Sequence, residues 1–197
     1  MRLLLLLIIC FNVSCNSKIT GFSEKACKEF NEKYVEYALI NKIDSALFYV
    51  DKSIKCDLES DFYKVAKINL LISDEQYENA INYLSNFKLD KEPVYKMLKG
   101  VLLLKLQNKQ EALGLLEEAY NHFKDEETSG EMDYNLIFYM LGLENYFNGS
   151  DSTINSIKDY KIALKDNAYA IETLEYAKIL IETSSKEDSL YKMFNIN

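Results

Sequence analysis

One proline and six glycines among 197 residues leave little with which to break helices or build tight turns. With 48% apolar and 27% charged residues, that scarcity excludes a disordered chain and favours an ordered, helix-rich one. The chain has one histidine, and it lacks His-Glu-x-x-His, Cys-x-x-Cys, a Gly-Lys-Ser/Thr phosphate loop and a Gly-x-Ser-x-Gly elbow. Metal, phosphate and nucleophile chemistry thus lose their usual signatures, and the chain reads as non-enzymatic, with no cofactor and no metal. Runs of Lys or Arg are absent too. The net charge is −8, and the lysines alternate with acids along helical faces, which argues against a nucleic-acid partner. The apolar run at the amino terminus stops at about ten residues, short of the roughly 20 a membrane-spanning helix needs. The length suits one domain or one short solenoid with a real core.

That amino-terminal run has a reading of its own. Met1-Arg2 precedes LLLLLII, then Cys10, Phe11, Asn12, Val13, Ser14 and Cys15, the layout of a secretory signal. Val13-Ser14-Cys15 resembles the lipobox of bacterial lipoproteins, although Asn12 stands where an aliphatic residue is usual. Cys10 fits less well, since bulky Ile8 and Ile9 precede it. The resemblance implies a signal peptide over 1–14, lipidation at Cys15 and a short tether over 15–22; the alternative is ordinary secretion. Acyl chains bury roughly 0.8 kcal/mol per methylene, so the result is an anchor and not a span. The implied place is the cell envelope, as an outer-membrane lipoprotein because Asn16 follows the lipidated cysteine, and facing the periplasm because no acidic run follows Cys15.

The remaining 23–197 carries a repeat. DSALFYVDKSIKCD (Asp44 to Asp57), ENAINYLSNFKLD (Glu78 to Asp90) and QEALGLLEEAY (Gln110 to Tyr120) each place apolar residues three, four, seven and eight positions after an alanine. Ala46 and Ala80 are 34 residues apart, and Ala112 follows 32 later. Self-similarity at this period marks stacked helical hairpins. The pattern resembles the tetratricopeptide repeat, over roughly 27–195. That resemblance implies an all-α, right-handed superhelical solenoid of about five antiparallel hairpins.

Repeat one spans Cys27 to Ser60, with Phe30, Tyr34, Tyr37 and Ala38 on its first helix and Asn41 in a left-handed turn. Repeat two spans Asp61 to Val94. Asp90 is expected to cap the next helix, whose first turn holds Pro93. In repeat three Gly100 falls at the small-residue crossing of the first helix, and Ala112, Leu116 and Ala119 follow on the second. HFKDEETSGEMD, beginning at His122, has no apolar period and reads as an inserted loop. His122 itself is expected near a helix end, favoured by the helix dipole. Asp125, Glu127, Ser129 and Gly130 have part of a calcium-loop spacing, but Leu136 stands where a bidentate Glu belongs, so the acids read as a solvated insert. The fourth repeat opens with Phe138, Leu141, Gly142 and Tyr146. Its second helix allows two registers, Ile154 or Ser156 at the alanine position, of which Ser156 is preferred. A hairpin near Ala168–Thr183 and Glu187–Phe194 closes the array.

In this repeat reading Cys27 and Cys56 lie at adjacent ends of one hairpin. The choice is between a disulfide and two separate buried thiols. The resemblance also implies a concave groove lined by the first helices, with Asn31, Val35, Val65, Asn69, Met97, Val101, Leu104, Tyr139, Leu143 and Tyr146 facing it. Such a mainly apolar groove suits a helix or extended peptide; the alternative is burial by close packing or by the carboxy-terminal hairpin. The expected function is a lipid-anchored scaffold that binds a protein or peptide. An accessory ligand-binding lipoprotein of a nutrient-uptake system and an immunity-type lipoprotein are the alternatives.

Overall fold

The computed structural model describes residues 22–86, 92–129 and 134–196, so the signal peptide, Cys15 and nearly all of the tether lie outside the described residues, as does Asp90. The described residues form ten α-helices. In order they are α1 (Glu24–Leu39), α2 (Ile43–Cys56), α3 (Asp61–Ser73), α4 (Tyr77–Asn86), α5 (Pro93–Lys105), α6 (Lys109–Ser129), α7 (Tyr134–Asn148), α8 (Ser150–Ala163), α9 (Ala168–Thr183) and α10 (Lys186–Met193). No strand occurs among the described residues. Their contacts fall into two compact units that divide between Leu70 and Leu71.

One local device recurs. Three-residue links join α1 to α2, α3 to α4 and α5 to α6, and the middle residue of each has positive φ: Asn41 at 54°, Glu75 at 56° and Gln107 at 64°. Each link closes the preceding helix with the same pair of backbone bonds. The N–H of Lys42 donates to the Tyr37 carbonyl at 2.9 Å, that of Gln76 to Leu71 at 2.8 Å and that of Asn108 to Leu103 at 2.9 Å. These are Schellman turns, which satisfy carbonyls that a helix end leaves unpaired.

After each link the next helix enters in the same register. Its fourth residue is Ala46, Ala80, Ala112, Thr153 or Ser189, each 0% exposed. Four residues on stand Val50, Leu84, Leu116, Ile157 and Met193, all buried. Small then large, one turn apart, lets the helix pair approach closely and then fills the space beside it. Gly100 lies at such a close approach. A Cβ there would stand 2.8 Å from Leu116 Cγ and 3.2 Å from the Ala112 carbonyl oxygen.

The α7–α8 pair departs from the register expected of the fourth repeat. Thr153 and Ile157 are the buried pair, while Ile154 and Ser156 are only half-buried. The reason is the link: Gly149 alone, at φ 91°, joins α7 to α8 where three residues join the earlier pairs. The expected insert is also different. α6 continues to Ser129, so Asp125 to Ser129 are helical and His122 is not at a helix end. Phe123, 0% exposed, anchors this extension, with His122 paired to Glu126 at 3.3 Å and Lys124 to Glu127 at 2.8 Å. The cap of α5 is Glu92, without a side-chain cap bond, and Pro93 is its first helical residue.

In the first unit, Ala46, Val50 and Leu70 form a small core. Tyr34, Tyr37, Ala38, Ile43, Leu47, Tyr63 and Ala66 surround it, partly buried. A disulfide joins Cys27 to Cys56, with Cα atoms 5.8 Å apart. In the second unit α10 turns back onto α7 and touches α5 and α9.

Candidate binding faces

The ten residues assigned to a groove meet different fates. In the first unit Asn31 and Val65 are half-buried, while Val35 and Asn69 are exposed. Asn31 lines a cleft of about 400 Å³ beside the disulfide, together with Glu24, Lys28, Asp57 and Tyr63. Its Oδ1 is buried without a hydrogen-bond partner.

In the second unit Met97, Val101, Leu104 and Leu143 are no more than 1% exposed and cannot meet a ligand as expected. α4, α6 and α10 all contact α5, and α7 is contacted by α6, α8, α9 and α10. Helix α10 occupies the α5–α7 face through specific contacts. Phe194, just past its end, stacks on Tyr139 with ring centroids 5.2 Å apart. Asn145 Nδ2 donates to Ser189 Oγ at 3.2 Å, and Lys186 Nζ donates to the Tyr146 carbonyl at 3.3 Å. Lys105 Nζ lies 4.9 Å from the Tyr191 ring centroid. Gly142 lies against α10: a Cβ would meet Met193 Sδ, Met193 Cε at 2.8 Å and Leu190 Cδ2 at 3.3 Å. Burial raises the Tyr139 and Tyr146 phenols above their ordinary pKa, and the carboxylate of Glu187 raises Tyr146 further.

A polar cluster lies where α6, α7 and α8 meet. Glu144 is 4% exposed, and its Oε1 accepts from Ser152 Oγ at 3.2 Å and from Ser156 Oγ at 2.8 Å. Its Oε2 is buried without a hydrogen-bond partner. Tyr160 donates its hydroxyl to Glu127, which also accepts from Lys124 at 2.8 Å. Burial pushes the Glu127 carboxyl up, but the bonds from Lys124 and Tyr160 outweigh it and hold the pKa low. Tyr160 is strongly raised, first by burial and then by its bond to Glu127. No nucleophile with an adjacent base emerges from these contacts.

A more open feature lies between α7 and α9. Phe138, Tyr169, Glu172, Thr173 and Tyr176 line a cleft of about 390 Å³. The Phe138 and Tyr176 rings are stacked at 5.9 Å and 14°. None of the five is among the residues expected to bind. The signal was present in the chain, as an aromatic stripe one position off the Ala170, Leu174 and Ala177 stripe that is buried.

Among the described residues no helix is long and apolar enough to cross a membrane, and no cluster of His, Cys, Asp or Glu could hold a metal ion. Comparison with family models, with curated proteins and with solved structures found no match.

Proposed function

We propose that this chain is a lipid-anchored, non-enzymatic binding module of a bacterial envelope, built on stacked tetratricopeptide-like hairpins. It would hold a protein or peptide near the membrane, attached through Cys15 to the periplasmic face of the outer membrane. One observation carries the reading. Five helices enter with a buried small residue at the fourth position and a buried large one a turn later, three of them after the same left-handed link. Such recurrence is what a right-handed superhelical array of about five hairpins requires, and arrays of that kind serve as binding surfaces.

Because α10 fills the α5–α7 face, we assign partner contact to the outer side of α9 and the adjoining Phe138. The test uses the full chain in a bacterial host fed an alkyne fatty acid. Label is expected on the wild type and not on Cys15→Ala. Chain solubilised from those membranes should retain a polypeptide in stoichiometric yield that rebinds after purification. The Tyr169→Ala/Tyr176→Ala variant should lose it. Identical retention by both forms would refute the assigned face, and label persisting on Cys15→Ala would refute the anchor.

A further inference from the structure

The outer face of α9 carries aromatic side chains that stand largely exposed. Tyr169, Glu172, Thr173 and Tyr176 fall at i, i+3, i+4 and i+7, so they share one face of the helix. Tyr169 is 61% exposed and Tyr176 51%, whereas Ala170, Leu174 and Ala177, each one position further on, are no more than 2% exposed. Phe138 of α7 comes alongside, its ring parallel to that of Tyr176. The cleft thus presents three aromatic rings and one carboxylate, with no Lys or Arg among the described residues that line it.

The polar groups narrow the ligand class. Thr173 already donates its hydroxyl to the Tyr169 carbonyl at 3.0 Å, so it has little to give a neutral polar ligand. Glu172 makes no hydrogen bond or ion pair among the described residues, while Glu175 and Glu182 on the same helix are paired with Lys161 and Lys178. Aromatic faces carry negative quadrupole density and attract cations, and a carboxylate one turn away adds to that attraction. The chain uses the same chemistry internally, with Lys52 Nζ 4.2 Å from the Phe48 ring centroid.

We propose that this cleft binds an organic cation, with the charged group over the open face of Tyr176 and beside Glu172. The cation is either the Lys or Arg side chain of a peptide partner or a free quaternary ammonium ion. The peptide source rests on the binding-module reading; the free-ion source does not.

The test is a titration of the purified full chain, followed by the NMR signals of its tyrosine rings. The ligands are choline and its neutral isostere 3,3-dimethylbutan-1-ol, at constant ionic strength. Choline is expected to give saturable shifts and the alcohol none at equal concentration. Tyr176→Leu and Glu172→Gln should each weaken choline binding about two- to fivefold with helicity unchanged, the scale of an exposed cation–π contact. A blocked lysine pentapeptide is then set against its Nε-acetylated form. Competition with choline by the lysine form alone supports the peptide source. Choline binding without such competition keeps the cation site and removes the peptide from this cleft. Equal shifts from choline and the alcohol, no saturable shift from any cation, or full choline affinity in both variants would overturn the proposal.

Discussion

At the scale of single residues, the α6–α8 cluster brings buried Glu144 and partly buried Glu127 and Tyr160 together. Tyr160 bonded to Glu127 illustrates the consequence for stability. Its phenol pKa is raised in the folded chain, so above about pH 10 the unfolded chain releases a proton that the folded chain keeps. The contribution is therefore complete below the unfolded pKa and is lost as pH rises beyond it. Tyr160→Phe should cost about 1–3 kcal/mol at neutral pH, through the lost bond to a charged acceptor. It should also reduce the fall in stability above pH 10, by up to about 1.4 kcal/mol per pH unit, one proton's worth. Urea unfolding of both forms between pH 7 and pH 11 measures both effects. Parallel alkaline slopes would mean that Tyr160 titrates normally.

At the scale of helices, the two crossing glycines look alike in sequence and differ in what they meet. Alanine is favoured over glycine in a helix by about 1 kcal/mol, whereas overpacking a core costs about 1–3 kcal/mol. At Gly100 the new methyl would strike Leu116, whose branched side chain is 0% exposed and has no room to turn. At Gly142 it would meet the thioether end of Met193, which is unbranched and adaptable. Gly100→Ala should therefore destabilise by up to about 2 kcal/mol net, more than Gly142→Ala, which should stay within about 1 kcal/mol of wild type. Chemical denaturation decides it; equal costs would show Met193 as fixed as Leu116. The same contrast explains how much the chain disclosed. Apolar spacing after Ala46, Ala80 and Ala112 identified three helices and their buried faces, because a small residue followed by a large one has a direct packing meaning. It did not reveal that a one-residue link at Gly149 moves the fourth register to Thr153, since helix period says nothing about link length. Nor could it tell that α10 covers Tyr139 and Gly142. Periodicity identifies which face is apolar, not which helix will bury it. The acidic stretch after His122 reads as a loop because its helix has only side-chain pairs at i,i+3 and i,i+4 and a single buried ring, Phe123, with no apolar stripe to betray it.

At the scale of the whole molecule, the two units draw stability from different sources. The first has a thin core: α1 contains no buried residue, and the central cluster is Ala46, Val50 and Leu70 with partly buried rings around it. The second is rich in wholly buried side chains, among them Met97, Leu116, Phe123, Met140, Leu143 and Leu190. A small core that buries little apolar surface commonly needs a covalent link, and the Cys27–Cys56 bond supplies one across a sequence separation of 29 residues. In the chain-entropy model, closing a loop of that size is worth about 3–4 kcal/mol, all of it through the unfolded state of the segment it encloses. Reduction should therefore act locally. Amide hydrogen exchange across α1 and α2 should accelerate on the order of a hundredfold or more when the disulfide is reduced, with exchange across α7 to α10 unchanged. The Cys27→Ala/Cys56→Ala chain should behave like the reduced one. Acceleration spread evenly over both units would mean that they unfold as one, and no acceleration anywhere would mean that the first unit's aromatic contacts hold it without the bond.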